Sequence, residues 1–99
     1  MVKHIVLFKL KENLSQEEKQ SIMNAFKTAI EALPATIGYI RKIHVGLNVN
    51  TNEKWDICLD SEFDSLEDVM KYSIHPAHVK AASLIKEAKQ DRACVDYEL

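Results

Sequence analysis

The segment Val2-Lys3-His4-Ile5-Val6-Leu7-Phe8-Lys9-Leu10 constrains this chain more than any other stretch. Its alternation marks a β-strand, with Val2, His4, Val6, Phe8 and Leu10 on one face and Lys3, Ile5, Leu7 and Lys9 on the other. Both faces carry large apolar residues at mid-strand. A strand of that kind needs cover on two sides, so the sheet that holds it cannot simply lie on one layer of helices with its back in water.

The rest of the chain supplies only part of that cover. Ser15-Gln16-Glu17-Glu18 is a capping box. It opens a helix that runs to about Leu33 and stops before Pro34. Ile22, Met23, Phe26, Ile30 and Leu33 form its apolar stripe. Gly38 to Val49 alternates again, with Ile40, Lys42 and His44 opposite Tyr39, Arg41, Ile43, Val45 and Leu47. Asn48-Val49-Asn50-Thr51-Asn52 reads as a turn. Residues 54–63 give a third strand, with Trp55, Ile57, Leu59 and Phe63 opposite Asp56, Cys58, Asp60 and Glu62.

Ser65 is an N-cap for a short helix from Leu66 to about Tyr72. Pro76 interrupts it and starts a further helix to about Gln90, since proline is favoured at the first helical position. Arg92 to Leu99 closes the chain as a strand, with Ala93, Val95 and Tyr97 opposite Cys94 and Asp96. The order β-α-β-β-α-β is the ferredoxin-like α+β arrangement around an antiparallel four-stranded sheet. Residues 1–99 are read as a single domain, with no repeat or low-complexity stretch.

Two helical elements cover one face of such a sheet. The face holding Ile5, Leu7, Ile40, Cys58 and Cys94 is left as a contiguous apolar patch, the mark of an interface. The simplest cover is the same face of a second copy, giving a homodimer. Lys3, Lys9, Lys42, Asp56, Asp60 and Asp96 are expected on this face too, at its rim or paired across it.

Composition narrows the function. Net charge is −2 and the basic residues are scattered, so no basic face is expected to bind nucleic acid. The run Ile5-Val6-Leu7-Phe8 is too short for an export signal or a membrane span, and the expected location is cytoplasmic. Cys58 and Cys94 form no C-x-x-C pair and are expected to be reduced, buried and apolar in character. Signatures for phosphate-cradling loops, G-x-S-x-G nucleophiles and H-E-x-x-H metal sites are absent. No metal and no cofactor are expected.

The segment with chemistry in it is Tyr72-Ser73-Ile74-His75-Pro76-Ala77-His78. His78 falls on the inward stripe of its helix, and three roles are open to it: hydrogen-bonded structural residue, general base beside a cavity, or metal ligand. A base is attractive because an imidazole titrates near neutral pH and can take a proton from carbon next to a carbonyl. Tyr72 could hold that histidine's tautomer or donate to an enolate oxygen, or simply reach water from a half-buried edge. His4, on the helix-facing side of its strand, needs a specific partner, with His78 or Tyr72 the candidates. His75 reads as an N-cap or turn residue. A pocket between helices and sheet would be lined by Val6, Phe8, Ile22, Met23, Phe26, Leu59, Leu84 and Ile85.

Val2 to Phe8, Trp55 to Leu59, Phe63 to Tyr72 and the block His75-Pro76-Ala77-His78-Val79 together resemble the stress-responsive dimeric α/β-barrel (Dabb) domain family, over essentially the whole chain. The resemblance implies a ferredoxin-like subunit whose sheet joins a partner's sheet in a barrel. Polyketide cyclases within that family close rings without a cofactor, using a histidine and a tyrosine. By resemblance that histidine falls on His78, that tyrosine on Tyr72 and a pocket histidine on His4, while a further pocket histidine of the family's cyclases is Ile57 here. Three readings follow: a small-molecule pocket protein with acid–base chemistry, a non-catalytic dimer module with structural histidines, and a monooxygenase-like or haem-handling relative, for which no dedicated ligand is seen.

Overall fold

The computed structural model describes residues 1–99. Strand β1 (Val2–Leu10) is followed by α1 (Gln16–Glu31), a 3₁₀ turn (Leu33–Ala35), β2 (Lys42–Leu47) and β3 (Ile57–Phe63). Then come α2 (Leu66–Ile74), α3 (Pro76–Ala82), a second 3₁₀ turn (Ser83–Ile85) and β4 (Lys89–Glu98). All strand pairs are antiparallel, and the sheet order is β2-β3-β1-β4, the ferredoxin-like arrangement.

The caps explain where the helices begin. Ser15 and Glu18 exchange both bonds of the capping box at the start of α1. The Ser65 hydroxyl accepts from the Asp68 amide to start α2. His75 then ends α2 and caps α3, its Nδ1 accepting from the Ala77 amide at 3.0 Å, with Pro76 in the first turn.

Beneath the helices lies one core. β1 and β3 alternate strictly, so Val2, Val6, Phe8, Leu10, Ile57, Leu59 and Phe63 are all buried. They meet Phe26, Ile30, Val69, Tyr72, Ala81 and Ile85 from the helical layer. The buried Ser61 hydroxyl donates to the His4 carbonyl at 3.1 Å, so it is not left unpaired. At the β2 edge, Lys27 donates to the Val45 carbonyl at 2.6 Å and Glu31 accepts from the Val45 amide at 2.9 Å. Those two bonds occupy an edge that would otherwise be open to pairing.

Three expectations about the elements and their bounds need correction. The helix from Pro76 does not reach Gln90: α3 stops at Ala82, and β4 already starts at Lys89. Pairing of Lys89 with Leu10, and of the Lys11 amide with the Ala88 carbonyl at 2.8 Å, overrides the helical pattern there. Ile40 belongs to the core, because the chain turns at Gly38 and Tyr39 and β2 begins only at Lys42, so strand alternation does not apply to it. Trp55 and Lys54 lie outside β3, which begins at Ile57.

The faces of β4 are also the reverse of the expected ones. Cys94 pairs with Val6 and Asp96 with His4, on the helix side, whereas Ala93, Val95 and Tyr97 join Leu7, Ile5 and Lys3 on the open side. Cys94 is accordingly exposed rather than buried, beyond the reach of the helices, and Cys58 is half-buried. Both thiols are free.

The open face is thus Ile5, Leu7, Cys58, Ala93, Val95 and Tyr97, with Val95 54% and Tyr97 47% exposed. Charges gather at its ends. Lys3 binds Asp60 and Glu62 at 2.9 Å each, and Lys42 adds to Glu62 at 3.9 Å. Lys9 reaches Glu12 at 3.8 Å. Asp56 leaves the face altogether, its carboxylate accepting from the Leu10 amide at 2.7 Å.

Candidate functional site

A cavity of about 240 Å³ opens between the helix side of the sheet and the α2–α3 corner. Its sheet wall is His4, Val6 and Phe8 from β1, Leu59 from β3, and Lys89 and Arg92 from β4. Its helical wall is Phe26, Tyr72, Ser73, His78, Ala82 and Ile85. Of the residues expected to line it, Ile22, Met23 and Leu84 do not. Ile22 and Met23 pack against the core from further along the stripe of α1. Leu84 is 47% exposed, because the 3₁₀ turn after Ala82 breaks the phase of α3 and rotates it outward.

Tyr72 sits in the last turns of α2 and is only 1% exposed. Its hydroxyl is buried with no hydrogen-bond partner, so it is not a water-tipped edge residue. Burial alone drives its pKa far above the ordinary phenol value of 10.0, and the group stays protonated. A buried hydroxyl without a partner is costly, and a catalytic role is one reason such a group is kept.

His78 lies across the α2–α3 break. Its ring stands 4.3 Å from the Tyr72 ring, tilted by 46°. Its Nδ1 is 3.1 Å from the Ser73 carbonyl. A carbonyl only accepts, so Nδ1 carries the proton and Nε2 is the basic nitrogen. Burial holds the His78 pKa below the ordinary 6.5, and the charges of His4, Arg92 and His75 push the same way, with the Ser73 carbonyl opposing them. At neutral pH the ring is therefore a neutral base. In a continuous helix the Ser73 carbonyl would pair with the Ala77 amide, but that amide donates to His75 Nδ1 instead, which leaves the carbonyl to the His78 ring.

His4 finds neither His78 nor Tyr72 as its polar partner. Its Nδ1 hydrogen-bonds the Asp96 carboxylate across the β1–β4 ladder, and its ring meets Tyr72 edge-on at 6.2 Å. Cys94 Sγ approaches the same Nδ1 at 3.8 Å. The ligand atoms of His4, Cys94 and Asp96 lie within 4.8 Å of one another, close enough to share an ion. The hydrogen bond between His4 and Asp96 accounts for this cluster as it stands.

Sequence reasoning does not find Asp96, Lys89, Arg92 or Ser73. The first three follow from the register of β4, whose polar set Arg92/Cys94/Asp96 faces the helices. Ser73 contributes a backbone carbonyl, which leaves no mark in a side-chain pattern. A larger hollow of about 400 Å³ lies where Leu7, Gly46, Trp55 and Cys58 border the open face. It carries no base paired with a donor. No helix is long and apolar enough to cross a membrane.

Comparison with known proteins places the chain in a family. Residues 2–99 match the family model described as the Stress Responsive A/B Barrel Domain. Among curated proteins, the chain is 24% identical over 99 residues to olivetolic acid cyclase of Cannabis sativa, covering 97% of this chain and 94% of that protein. Among solved structures, it matches a dimeric protein of ferredoxin-like fold and unknown function from Bacteroides fragilis NCTC 9343. That match has 60% identity and a TM-score of 0.97, covering 99% of this chain and 95% of the other. A hydroxynitrile lyase from Passiflora edulis shares the fold at 19% identity and a TM-score of 0.71, with 97% and 90% of the two chains covered. With a family match across residues 2–99, the chain belongs to the stress-responsive A/B barrel domain family.

Proposed function

We propose that this protein is a homodimeric pocket protein whose helix–sheet cavity carries out cofactor-free acid–base chemistry on a small carbonyl compound. The observation that carries the reading is the buried, unpartnered Tyr72 hydroxyl beside a neutral His78 whose tautomer leaves Nε2 unprotonated. In this scheme Nε2 of His78 removes a proton from carbon next to the substrate carbonyl. The electron pair of the broken C–H bond moves onto the carbonyl oxygen, and Tyr72 O–H donates to the enolate that forms. The enolate carbon then attacks a second carbonyl, and the proton held on His78 returns to the new alkoxide. Such a ring closure is in keeping with the cyclase relative, whose name states that it closes a ring. His4, fixed by Asp96, forms a polar part of the wall. The cytoplasm is the proposed location, where the free thiols of Cys58 and Cys94 stay reduced.

The dimer rests on the apolar open face and on relatives described as dimeric. A second reading, a non-catalytic dimer with structural histidines, draws on the same bond from His78 to the Ser73 carbonyl, which ties α3 to the end of α2. Titrating small carbonyl compounds into wild type and His78→Ala, followed by NMR and thermal shift, separates the two. Catalysis requires that ligand shifts centre on Tyr72 and vanish in a variant that still folds. If no compound perturbs the wild type while His78→Ala unfolds early, the histidine is structural.

A further inference from the structure

The cavity has a charge pattern that proton transfer leaves unused. The chain is acidic overall, at −2, yet the cavity wall holds Lys89 and Arg92 with His4 and His78, and no aspartate or glutamate. Both cations come from β4, and a regular strand would not bring them together. Residues three apart alternate to opposite faces. The register shift between Lys9 and Leu10 changes this: Arg92 stands opposite Phe8, Asp91 opposite Lys9, and then Lys89, not Gln90, stands opposite Leu10. The irregularity puts Lys89 on the same side of the sheet as Arg92, beside the cavity.

Acids that could neutralise the pair are engaged elsewhere. Asp91 lies 3.7 Å from Lys54, and Asp96 is held by His4. The Lys89 ammonium hangs 5.9 Å from the Phe8 ring centroid. The cavity therefore offers two cations from β4 and, from α2, a buried phenol that lacks an acceptor. Its volume of about 240 Å³ suits a molecule built on a single ring.

We infer that the cavity selects small carbonyl compounds that carry a carboxylate, with Lys89 and Arg92 holding the carboxylate while Tyr72 and His78 address the carbonyl. This rests on the acid–base reading of the same cavity. The Arg92 guanidinium can accept the planar carboxylate through two parallel N–H bonds, and Lys89 adds a point charge.

A matched pair of probes tests it: 4-acetylbenzoate, with both groups, and 4-acetylbenzamide, of the same size but neutral. NMR titration of the full chain should show the acid binding at least about tenfold tighter, the margin expected for a charge-assisted pair over a neutral one. Lys89→Met and Arg92→Met should each shrink that margin, and the double variant should bring the two probes to parity. Raising salt should weaken the acid but not the amide. Tyr72→Phe should weaken both probes alike. Equal binding of acid and amide by wild type, or a preference that survives the double variant, overturns the inference. If the amide binds at the His78 ring as well as the acid does, only the carboxylate selection falls. If neither probe moves the His78 resonances of wild type, the acid–base reading falls and this inference with it.

Discussion

The two faces of the sheet are built from the same strands and end in opposite conditions. On the covered face, Val6, Leu59 and Phe63 are at most 3% exposed beneath the helices, and the Tyr72 hydroxyl is the fully buried side-chain polar atom left without a partner. On the other face, Val95 and Tyr97 remain about half exposed, although β4 puts its apolar residues on that side. An edge strand that turns Ala93, Val95 and Tyr97 away from its own core makes sense only if something apolar meets them. The charges on that face fit the same view, since Lys3, Asp60 and Glu62 pair with one another at one end and leave the middle apolar. The contrast teaches that one face is completed by the chain itself and is where the proposed chemistry lies. The other is left apolar by the chain, and the proposed dimer would complete it.

The largest expected effect comes from breaking the association. Leu7→Asp with Val95→Asp puts two charges into the middle of the open face, and burying an unpaired charge costs on the order of several kcal/mol. Sedimentation should show a wild-type dimer at tens of micromolar turning into a monomer, and the thermal midpoint should fall and lose its dependence on protein concentration. Val6→Asp, on the covered face, should instead prevent folding at any concentration. A wild type that sediments as a monomer would erase the distinction between the faces.

Much of this contrast is legible in the order of the amino acids alone. β1 announces two apolar faces through Ile5, Val6, Leu7 and Phe8, and the capping box and Pro76 mark helix starts correctly. What the chain order hides is register. Period-2 alternation sorts β4 into Arg92/Cys94/Asp96 and Ala93/Val95/Tyr97, but it cannot say which set turns toward the helices. The usual preference for apolar residues inside one's own core points the wrong way here, because those of β4 face the open side. The same limit hides Asp96 as the partner of His4, since cross-strand pairs depend on a register that only the fold supplies. Leu84 escapes its expected place for a different reason: helical phase holds only while the helix lasts, and α3 ends at Ala82.

Within the covered face, the paired and unpaired polar groups should respond in opposite directions. Asp96→Ala strips the Nδ1 partner from His4, whose side chain is 8% exposed, and should lower stability by about 1–3 kcal/mol, read by chemical denaturation. Tyr72→Phe removes a hydroxyl that bonds to no other group of the protein, so stability should be unchanged or rise by about 1 kcal/mol, while ligand binding weakens. A destabilised Tyr72→Phe would mean that the hydroxyl has a partner in solution and is not waiting for a ligand. That result would remove the strongest reason for treating the covered face as the site of chemistry.

The smallest effect is a pH dependence, and its sign is fixed by the direction in which burial moves His78. The folded-state value lies below the ordinary 6.5, so the native protein holds fewer protons on this ring than the unfolded chain does. The stability it contributes is complete above 6.5 and is lost as pH falls through the folded value, because the unfolded chain gains a proton that the native ring resists. His78→Gln should flatten that part of the stability profile and leave the alkaline side alone. The open face holds no group shifted in this way: Cys58, whose thiol is pushed up by burial and by Asp60, is already neutral there. A direct NMR titration of the His78 ring decides the point. A midpoint under 6.5 keeps Nε2 available as a base at neutral pH. A midpoint above 6.5 would mean that the ring gains a stabilising anion in solution, and His78 would then enter the cavity as an acid.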